Sequence, residues 1–281
     1  MILLDGAMGT LLASRGANID LPLWSANSLM DNPALVLAIH EEYVAAGADI
    51  ITANTFRTTT RTFGLAGIPD RSAELTSLAV ELAKEARAKF PDRQVQIAGS
   101  IAPLEDCYRP DLVPPSDQLD REHRLHARRL DDAGVDLLLC ETMGTAWEAE
   151  AACAAATGTG VRTIVSFLCN ADGDLYDGTP LEEAVTRVLT HRPWALSLNC
   201  ISPHTMTSAI RRLKRASPLR FGVYANVGVP GAERQEKFEC DVSRDEYVVF
   251  AKRWAAMGAS FIGGCCGTTP DYIRALKKAL A

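Results

Sequence analysis

Short runs of apolar and β-branched residues alternate along the chain with longer stretches whose apolar positions recur at helical spacing. The short runs are bounded by turn residues, which is typical of strands that are buried on both faces of a parallel sheet. Eight such runs are present, at residues 2–5, 49–54, 95–100, 135–141, 163–168, 195–200, 221–226 and 260–264. The pattern therefore predicts eight units, each a strand followed by a helix.

Residues that favour helix ends mark the stretches between these runs. Asn32 and Ser202 each stand directly before a proline, a combination that starts helices. Gly47, Gly134 and Gly258 each close a helical stretch just ahead of a predicted strand, as a glycine after a helix C-terminus does. These signals support the same alternation of strands and helices.

The number of units indicates the fold class. Eight units with no Pro/Ser-rich linker between them predict an α/β protein with a single domain, a (β/α)8 TIM barrel that occupies residues 1–281. A doubly wound open sheet is the alternative, because one sequence does not reveal the order of the strands. The longest irregular stretch, residues 102–118, holds four prolines and is either an active-site loop or a tolerated surface excursion.

Composition and charge narrow the range of functions. With 47% hydrophobic residues the chain can bury a sizeable core, and its net charge of -6 argues against nucleic-acid binding, which needs a basic surface. No apolar run approaches the roughly 20 residues that span a bilayer, and no basic segment precedes an apolar stretch at the N-terminus. We therefore expect a cytoplasmic protein without a membrane partner, whose eight cysteines are thiols rather than disulfides.

Polar and thiol side chains stand at the predicted carboxyl ends of the strands, where barrel enzymes place their active sites. They are Asp5, Asn54, Thr55, Ser100, Cys140, Glu141, Thr142, Cys169, Asn170, Asn199, Cys200, Asn226, Cys265 and Cys266. Such a ring, with two carboxylates and several thiols, predicts an active site rather than a satisfied polar rim. No histidine stands at a strand end, which argues against a histidine-ligated metal, and no lysine lies on a predicted strand, which argues against a Schiff-base aldolase.

Three thiols carry the most specific prediction. Cys200 ends the sixth strand and Cys265 and Cys266 follow the eighth, and both strands neighbour the seventh in a barrel, so the three thiols would meet. Three thiolates suit Zn²⁺, which in catalytic sites keeps its fourth position open. A vicinal disulfide and a glycine-rich phosphate cradle in GGCCGT are alternatives, although the cradle leaves Cys200 unexplained.

Two of the five histidines also have a spacing that can bind a metal. His123 and His126 are three residues apart on a predicted helix. We interpret this pair as part of a solvated helix face rather than as a metal site.

Several segments together resemble the homocysteine S-methyltransferase family. They are LLDGAMGT from residue 3, ANTF at 53–56, ET at 141–142, DGTPLEEA at 177–184, NC at 199–200 and GGCCGT at 263–268. The similarity extends from residue 3 to about residue 270, and GGCC with an upstream NC is its most specific part. The resemblance implies a (β/α)8 barrel with a catalytic zinc ion held by Cys200, Cys265 and Cys266.

The resemblance also implies which residues bind the substrate. They are Asp5, Gly6, Ala7, Met8, Thr55, Glu141 and Asn199. The two carboxylates would hold the amino group of homocysteine, the backbone amides of the turn at residues 6–8 would meet its carboxylate, and the threonine and asparagine would be near neighbours.

The implied reaction is transfer of a methyl group to the homocysteine thiol, a step of methionine biosynthesis with small molecules as partners. A cationic donor suits a zinc site with three thiolates, so we favour a sulfonium such as S-methylmethionine or S-adenosylmethionine. A betaine-type donor and a selenol acceptor are alternatives. Corrinoid members of the family use additional modules, for which we expect no room in 281 residues. A non-catalytic zinc or thiol redox sensor is the alternative from a different class. The sequence does not predict the oligomeric state.

Overall fold

The structure, a computed structural model, describes residues 1–229 and 239–280. Its strands are β1 (Ile2–Leu3), β2 (Ile50–Ala53), β3 (Gln96–Ile101), β4 (Leu137–Met143), β5 (Thr163–Phe167), β6 (Ala195–Asn199), β7 (Phe221–Ala225), β8 (Gly228–Val229), β9 (Glu239–Cys240) and β10 (Phe261–Gly264). Its helices are α1 (Gly9–Ser14), α2 (Asn27–Asp31), α3 (Pro33–Ala46), α4 (Thr60–Leu65), α5 (Ser72–Ala88), α6 (Ser116–Asp132), α7 (Ala146–Thr157), α8 (Leu181–Leu189), α9 (Pro203–Ala216), α10 (Arg244–Ala256) and α11 (Pro270–Leu280).

Eight parallel strands form a single-domain (β/α)8 barrel of the α/β class, so the predicted fold class is confirmed. Their order around the sheet is β1-β10-β7-β6-β5-β4-β3-β2. A parallel bridge between Leu4 and Ile50 joins the first strand to the second and completes the ring, so the open doubly wound alternative is wrong. The remaining two strands, β8 and β9, pair antiparallel outside the barrel.

The helix-end residues act as the sequence predicts. The Asn32 side chain accepts a hydrogen bond from the backbone of Leu35, and Ser202 caps α9 in the same manner. Gly47 ends α3 with a φ of 113°, a left-handed conformation that costs glycine little. Among the described helices, none is both long and apolar enough to cross a membrane.

Apolar side chains fill both the barrel interior and the layer between strands and helices. The interior cluster consists of Leu4, Ile50, Ala98, Leu137, Leu139, Ile164, Ala195, Tyr224 and Phe261. Phe261 on β10 pairs with Gly222 on β7, and a Cβ atom at Gly222 would lie 1.9 Å from the phenylalanine ring. The glycine therefore makes the space that this aromatic ring needs inside the barrel.

The interpretation of His123 and His126 as a solvated helix face is wrong. Both side chains are buried, because the face of α6 that carries them packs against β3 and α7. His123 Nε2 lies 3.2 Å from Glu148 Oε1, and His126 Nε2 lies 3.2 Å from the carbonyl oxygen of Ser100. Burial lowers the pKa of His126 to about 4. The spacing of the two histidines shows that they share one face of the helix. It does not show whether that face lies in solvent or packs against the rest of the protein.

We predict opposite effects for alanine at two glycines. Gly222→Ala would destabilise the fold by about 2 kcal/mol or more, because the new Cβ meets the Phe261 ring. Gly64→Ala would stabilise it by about 0.5–1 kcal/mol, because Gly64 is an exposed residue of α4 with open space around its Cβ position. Urea unfolding followed by circular dichroism measures both changes. Equal stability of the two variants would contradict the packing described here.

Candidate active site

A cavity of about 790 Å³ lies at the carboxyl ends of the barrel strands. Its lining includes two carboxylates, Asp5 and Glu141, and three thiols, Cys200, Cys265 and Cys266. Eight of the fourteen predicted strand-end residues therefore line one space, namely Asp5, Asn54, Ser100, Glu141, Thr142, Cys200, Cys265 and Cys266. A barrel brings them together because all eight parallel strands end at the same rim.

Three cysteines from two distant parts of the chain converge at this cavity. Cys200 follows β6 and the Cys265–Cys266 pair follows β10, the two neighbours of β7 in the sheet. Their sulfur atoms all lie within 4.8 Å of one another, and those of Cys200 and Cys266 are 3.8 Å apart. Within the described residues, this is the group of cysteine, histidine or acidic side chains with a geometry that can hold a metal ion.

Asn226 fixes the two cysteine-bearing turns relative to each other. Its side-chain amide donates to the carbonyl oxygen of Cys200 at 3.0 Å, and its oxygen accepts from the backbone of Cys266 at 3.2 Å. Cys200 has a φ of 58°, in the left-handed region that is unfavourable for a residue with a Cβ. The hydrogen bonds of Asn226 help to hold this backbone in place.

The three thiols change one another's acidity. Hydrogen bonds from Cys265 and Cys266 hold the pKa of Cys200 well below its usual range. Hydrogen bonding to Cys200 raises the pKa of Cys265 and Cys266 in turn. The metal-free cluster therefore favours one thiolate stabilised by two thiols.

Thr268 joins the first turn of the barrel to the cysteine turn. Its hydroxyl donates to the carbonyl oxygen of Cys265 at 2.7 Å and accepts from the backbone amide of Ala7 at 3.2 Å. A Cβ atom at Gly6 or Gly264 would lie within 2.6 Å of this hydroxyl. Gly6 and Gly264 thus make room for one buried threonine. The backbone amide of Ala7, in the GAMG turn, already has this threonine as its hydrogen-bond partner.

The two carboxylates of the cavity are each held by hydroxyl groups. Thr52 donates to both oxygens of Asp5, from its amide at 2.7 Å and its hydroxyl at 3.0 Å. Ser100 and Tyr224 donate to the two oxygens of Glu141, at 2.5 and 3.3 Å. Burial raises the pKa of Asp5 to about 8 and that of Glu141 to about 7. A cationic ligand would relieve the cost of these buried charges.

Thr55 and Asn199 lie behind the cavity wall. The hydroxyl of Thr55 donates to the carbonyl oxygen of Ser100 and accepts from its amide, both at 2.9 Å. The Asn199 side chain accepts from the amide of Thr142 at 3.0 Å and donates to its hydroxyl at 2.9 Å. Thr142 lies where β4 shifts register against β5, directly after Glu141. Asn199 thus satisfies the backbone amide of Thr142 at an irregularity of β4, next to Glu141.

The segment after β3 contributes a side chain to the cavity. Tyr108 places its hydroxyl 3.6 Å from the sulfur of Cys200, and its ring meets that of Tyr176 edge-on at 5.4 Å. Residues 102–118 are therefore on the active-site side, although α6 already begins at Ser116.

The remaining cysteines fall into two groups. Cys140, Cys153 and Cys169 are buried thiols within the hydrophobic core, so two of the predicted strand-end thiols do not reach the cavity. Cys107 and Cys240 come from segments without a recognisable motif, yet both line the cavity.

The sequence reasoning missed several residues of the site. They are Thr52, Tyr108, Tyr224 and Thr268. Tyr224 lies inside β7 rather than at its end, and Thr52 lies one residue before the end of β2. A search confined to strand ends therefore passes over them.

Comparisons with known proteins agree on one family. A family model described as homocysteine S-methyltransferase matches residues 2–280. A homocysteine S-methyltransferase of Escherichia coli (strain K12) is 35% identical over 296 residues, covering 99% of this chain and 94% of the relative. The homocysteine S-methyltransferase YbgG of Bacillus subtilis (strain 168) is 32% identical and covers 98% and 92%. Among solved structures, the metallated form of the homocysteine methyltransferase MmuM from Escherichia coli matches with a TM-score of 0.86 at 34% identity, over 99% of this chain and 96% of that one.

We predict that Glu141→Gln stabilises the metal-free protein at alkaline pH. Because its pKa is about 7 in the fold, against 4.5 normally, the folded protein binds this proton more tightly than the unfolded chain does. The stabilising effect of the proton is complete below about pH 4.5 and is lost as the pH rises to about 7, a difference of about 3 kcal/mol. The melting temperature of the variant should exceed that of the wild type at pH 8.5, and by less at pH 5.

Glu183→Gln provides the matched control, since Glu183 is an exposed carboxylate on α8. It should change the melting temperature equally at both pH values. If the change in melting temperature depended on pH in the same way in both variants, the buried carboxylate of Glu141 would not be its source.

Proposed function

The chain belongs to the homocysteine S-methyltransferase family and is an enzyme of that kind, and we propose that it transfers a methyl group from a sulfonium donor to the thiol of L-homocysteine, giving methionine, with zinc as its metal. The convergence of Cys200, Cys265 and Cys266 on one space carries the proposal. We further propose that residues 1–281 form one homocysteine-binding domain.

The chemistry of the three cysteines fits zinc. Thiolates are soft ligands that zinc prefers, and catalytic zinc sites commonly have three protein ligands and a fourth position for substrate. The Escherichia coli relative has a metallated form, which supports metal binding by this chain. Bound zinc would lower the pKa of the homocysteine thiol, so that it reacts as the more nucleophilic thiolate.

The cavity supplies partners for the other groups of homocysteine. We assign the amino group to Asp5 and Glu141, whose raised pKa values indicate that a cation would stabilise their charged forms. The turn of Gly6, Ala7 and Met8 lines the same cavity, and we assign the substrate carboxylate to its amides other than that of Ala7, which donates to Thr268. Thr55 and Asn199 act indirectly in this proposal, through the backbone that carries Ser100 and Glu141.

The reaction is a direct displacement at the methyl carbon. The homocysteine sulfur forms the new bond to carbon as the bond from carbon to the sulfonium sulfur breaks, and a neutral thioether leaves with the electron pair. The protein binds the acceptor at its amino and carboxylate ends, which fixes the direction in which its sulfur points. Carboxylates and thiolates around the cavity favour the approach of a cationic donor.

We predict about one zinc ion per chain in the purified protein, with loss of both metal and activity in Cys200→Ala. Removing one of three ligands leaves too few to retain the ion, and methyl transfer to homocysteine should fall at least roughly a hundredfold. Atomic emission spectroscopy and a methionine assay measure the two quantities. Cys153→Ala is the matched control, since this buried cysteine of α7 faces Val188. Full methyl-transfer activity in the metal-free protein would contradict the proposal.

A panel of methyl donors tests the second part of the proposal. S-methylmethionine or S-adenosylmethionine should give a kcat/KM at least roughly ten times that of betaine, because a thioether is a better leaving group than a tertiary amine. Methylfolate, with an even poorer leaving group, should give no turnover. Product formation with each donor at equal homocysteine concentration makes the comparison, and faster transfer from betaine would replace the sulfonium assignment.

A further inference from the structure

We infer that Tyr224 and Ser100 are positioning residues, whose hydroxyl groups orient the Glu141 carboxylate so that the enzyme selects acceptor thiols with an α-amino group. The inference rests on the proposed function, since it takes Glu141 as a partner of the homocysteine amino group. The inference adds Ser100 and Tyr224 to the residues that serve the site, and their strands are far apart in the chain.

The contacts to Glu141 use both of its oxygens. The Ser100 hydroxyl on β3 donates to Oε1 at 2.5 Å, and the Tyr224 hydroxyl on β7 donates to Oε2 at 3.3 Å. Glu141 lies on β4, so Ser100 comes from the adjacent strand, whereas Tyr224 reaches it from three strands away around the ring. Two donors on opposite sides fix the plane of a carboxylate better than either one alone.

Packing accounts for the tyrosine ring but not for its hydroxyl group. The ring belongs to the apolar cluster inside the barrel, together with Leu139, Ile164 and Phe261. Tyr224 is 4% exposed, so its hydroxyl needs a partner within the protein. Phenylalanine would fill the same space, and the hydroxyl is therefore the part of this residue that serves the site.

Ser100 has little freedom to point its hydroxyl elsewhere. Thr55 accepts from its backbone amide and donates to its carbonyl oxygen, and His126 Nε2 lies 3.2 Å from the same carbonyl. All three residues are buried. The backbone of Ser100 is thus fixed from two sides, and its side chain reaches the carboxylate from a rigid strand.

Loss of either hydroxyl should affect amino-group recognition in particular. Each hydroxyl donates to a charged carboxylate, and without that hydrogen bond the carboxylate can turn away from the amino group. The thiol end of the substrate lies at the cysteines, which neither hydroxyl contacts in the described residues. A defect in Tyr224→Phe should therefore depend on whether the acceptor carries an amino group.

The test compares two acceptor thiols in the zinc-loaded enzyme, homocysteine and 4-mercaptobutanoate, which lacks only the amino group. In Tyr224→Phe we expect kcat/KM for homocysteine to fall at least roughly tenfold, mainly through KM, and kcat/KM for 4-mercaptobutanoate to stay within about twofold. Ser100→Ala should show the same acceptor dependence. Tyr272→Phe is the matched control, because its hydroxyl binds the carbonyl oxygen of Val242 instead, and it should alter neither acceptor.

A double-mutant cycle shows whether Tyr224 acts through Glu141. In the Glu141→Gln background, adding Tyr224→Phe should change kcat/KM for homocysteine by less than about twofold, because the carboxylate that Tyr224 orients is then absent. An equal loss for both acceptors, or an undiminished effect in the Glu141→Gln background, overturns the inference while the proposed function stands. A wild-type enzyme that methylates neither thiol overturns the proposed function and this inference with it.

Discussion

Three sulfur atoms within 4.8 Å of one another are the feature on which the rest of this molecule depends. Thiols at that distance favour the ionisation of one of them and oppose that of the others. Asn226 ties the two cysteine turns together, and Thr268 ties the second of them to the first turn of the barrel. The first turn of the barrel and the two cysteine turns are thereby connected parts of one rim.

The site is also electrostatically unfavourable in the absence of ligands. Burial raises the pKa of both Asp5 and Glu141, and the charge of Glu141 raises the pKa of Asp5 further. A buried carboxylate in such surroundings lowers the stability of the fold, whereas a neutral glutamine would not. This cost is a common property of binding sites. The hydroxyl donors around both carboxylates limit this cost and leave the charges directed at the cavity.

Patterns of local sequence predicted much of this architecture. The eight strands lie within two residues of their predicted bounds, because alternation of apolar runs and helical stretches is a local property of the chain. Asn32 and Ser202 start helices as expected, since a cap acts within one turn. Helical spacing places His123 and His126 on one face of α6 but says nothing about which neighbour covers that face. The partners that bury them, β3 and α7, belong to the tertiary structure.

The sequence by itself determined the repeating strand-helix units. It also placed carboxylates and cysteines at strand ends, which lie together at one rim in a barrel. It left open the order of the strands, and the order β6-β7-β10 is what makes Cys200 a neighbour of Cys266 across 66 positions of chain. Tertiary structure alone decided that Tyr224 reaches Glu141, that Asn226 bridges two cysteine turns and that Thr55 and Asn199 lie behind the wall. The physical reason is that hydrogen bonds between side chains depend on distances in space, which a local pattern of residues does not encode.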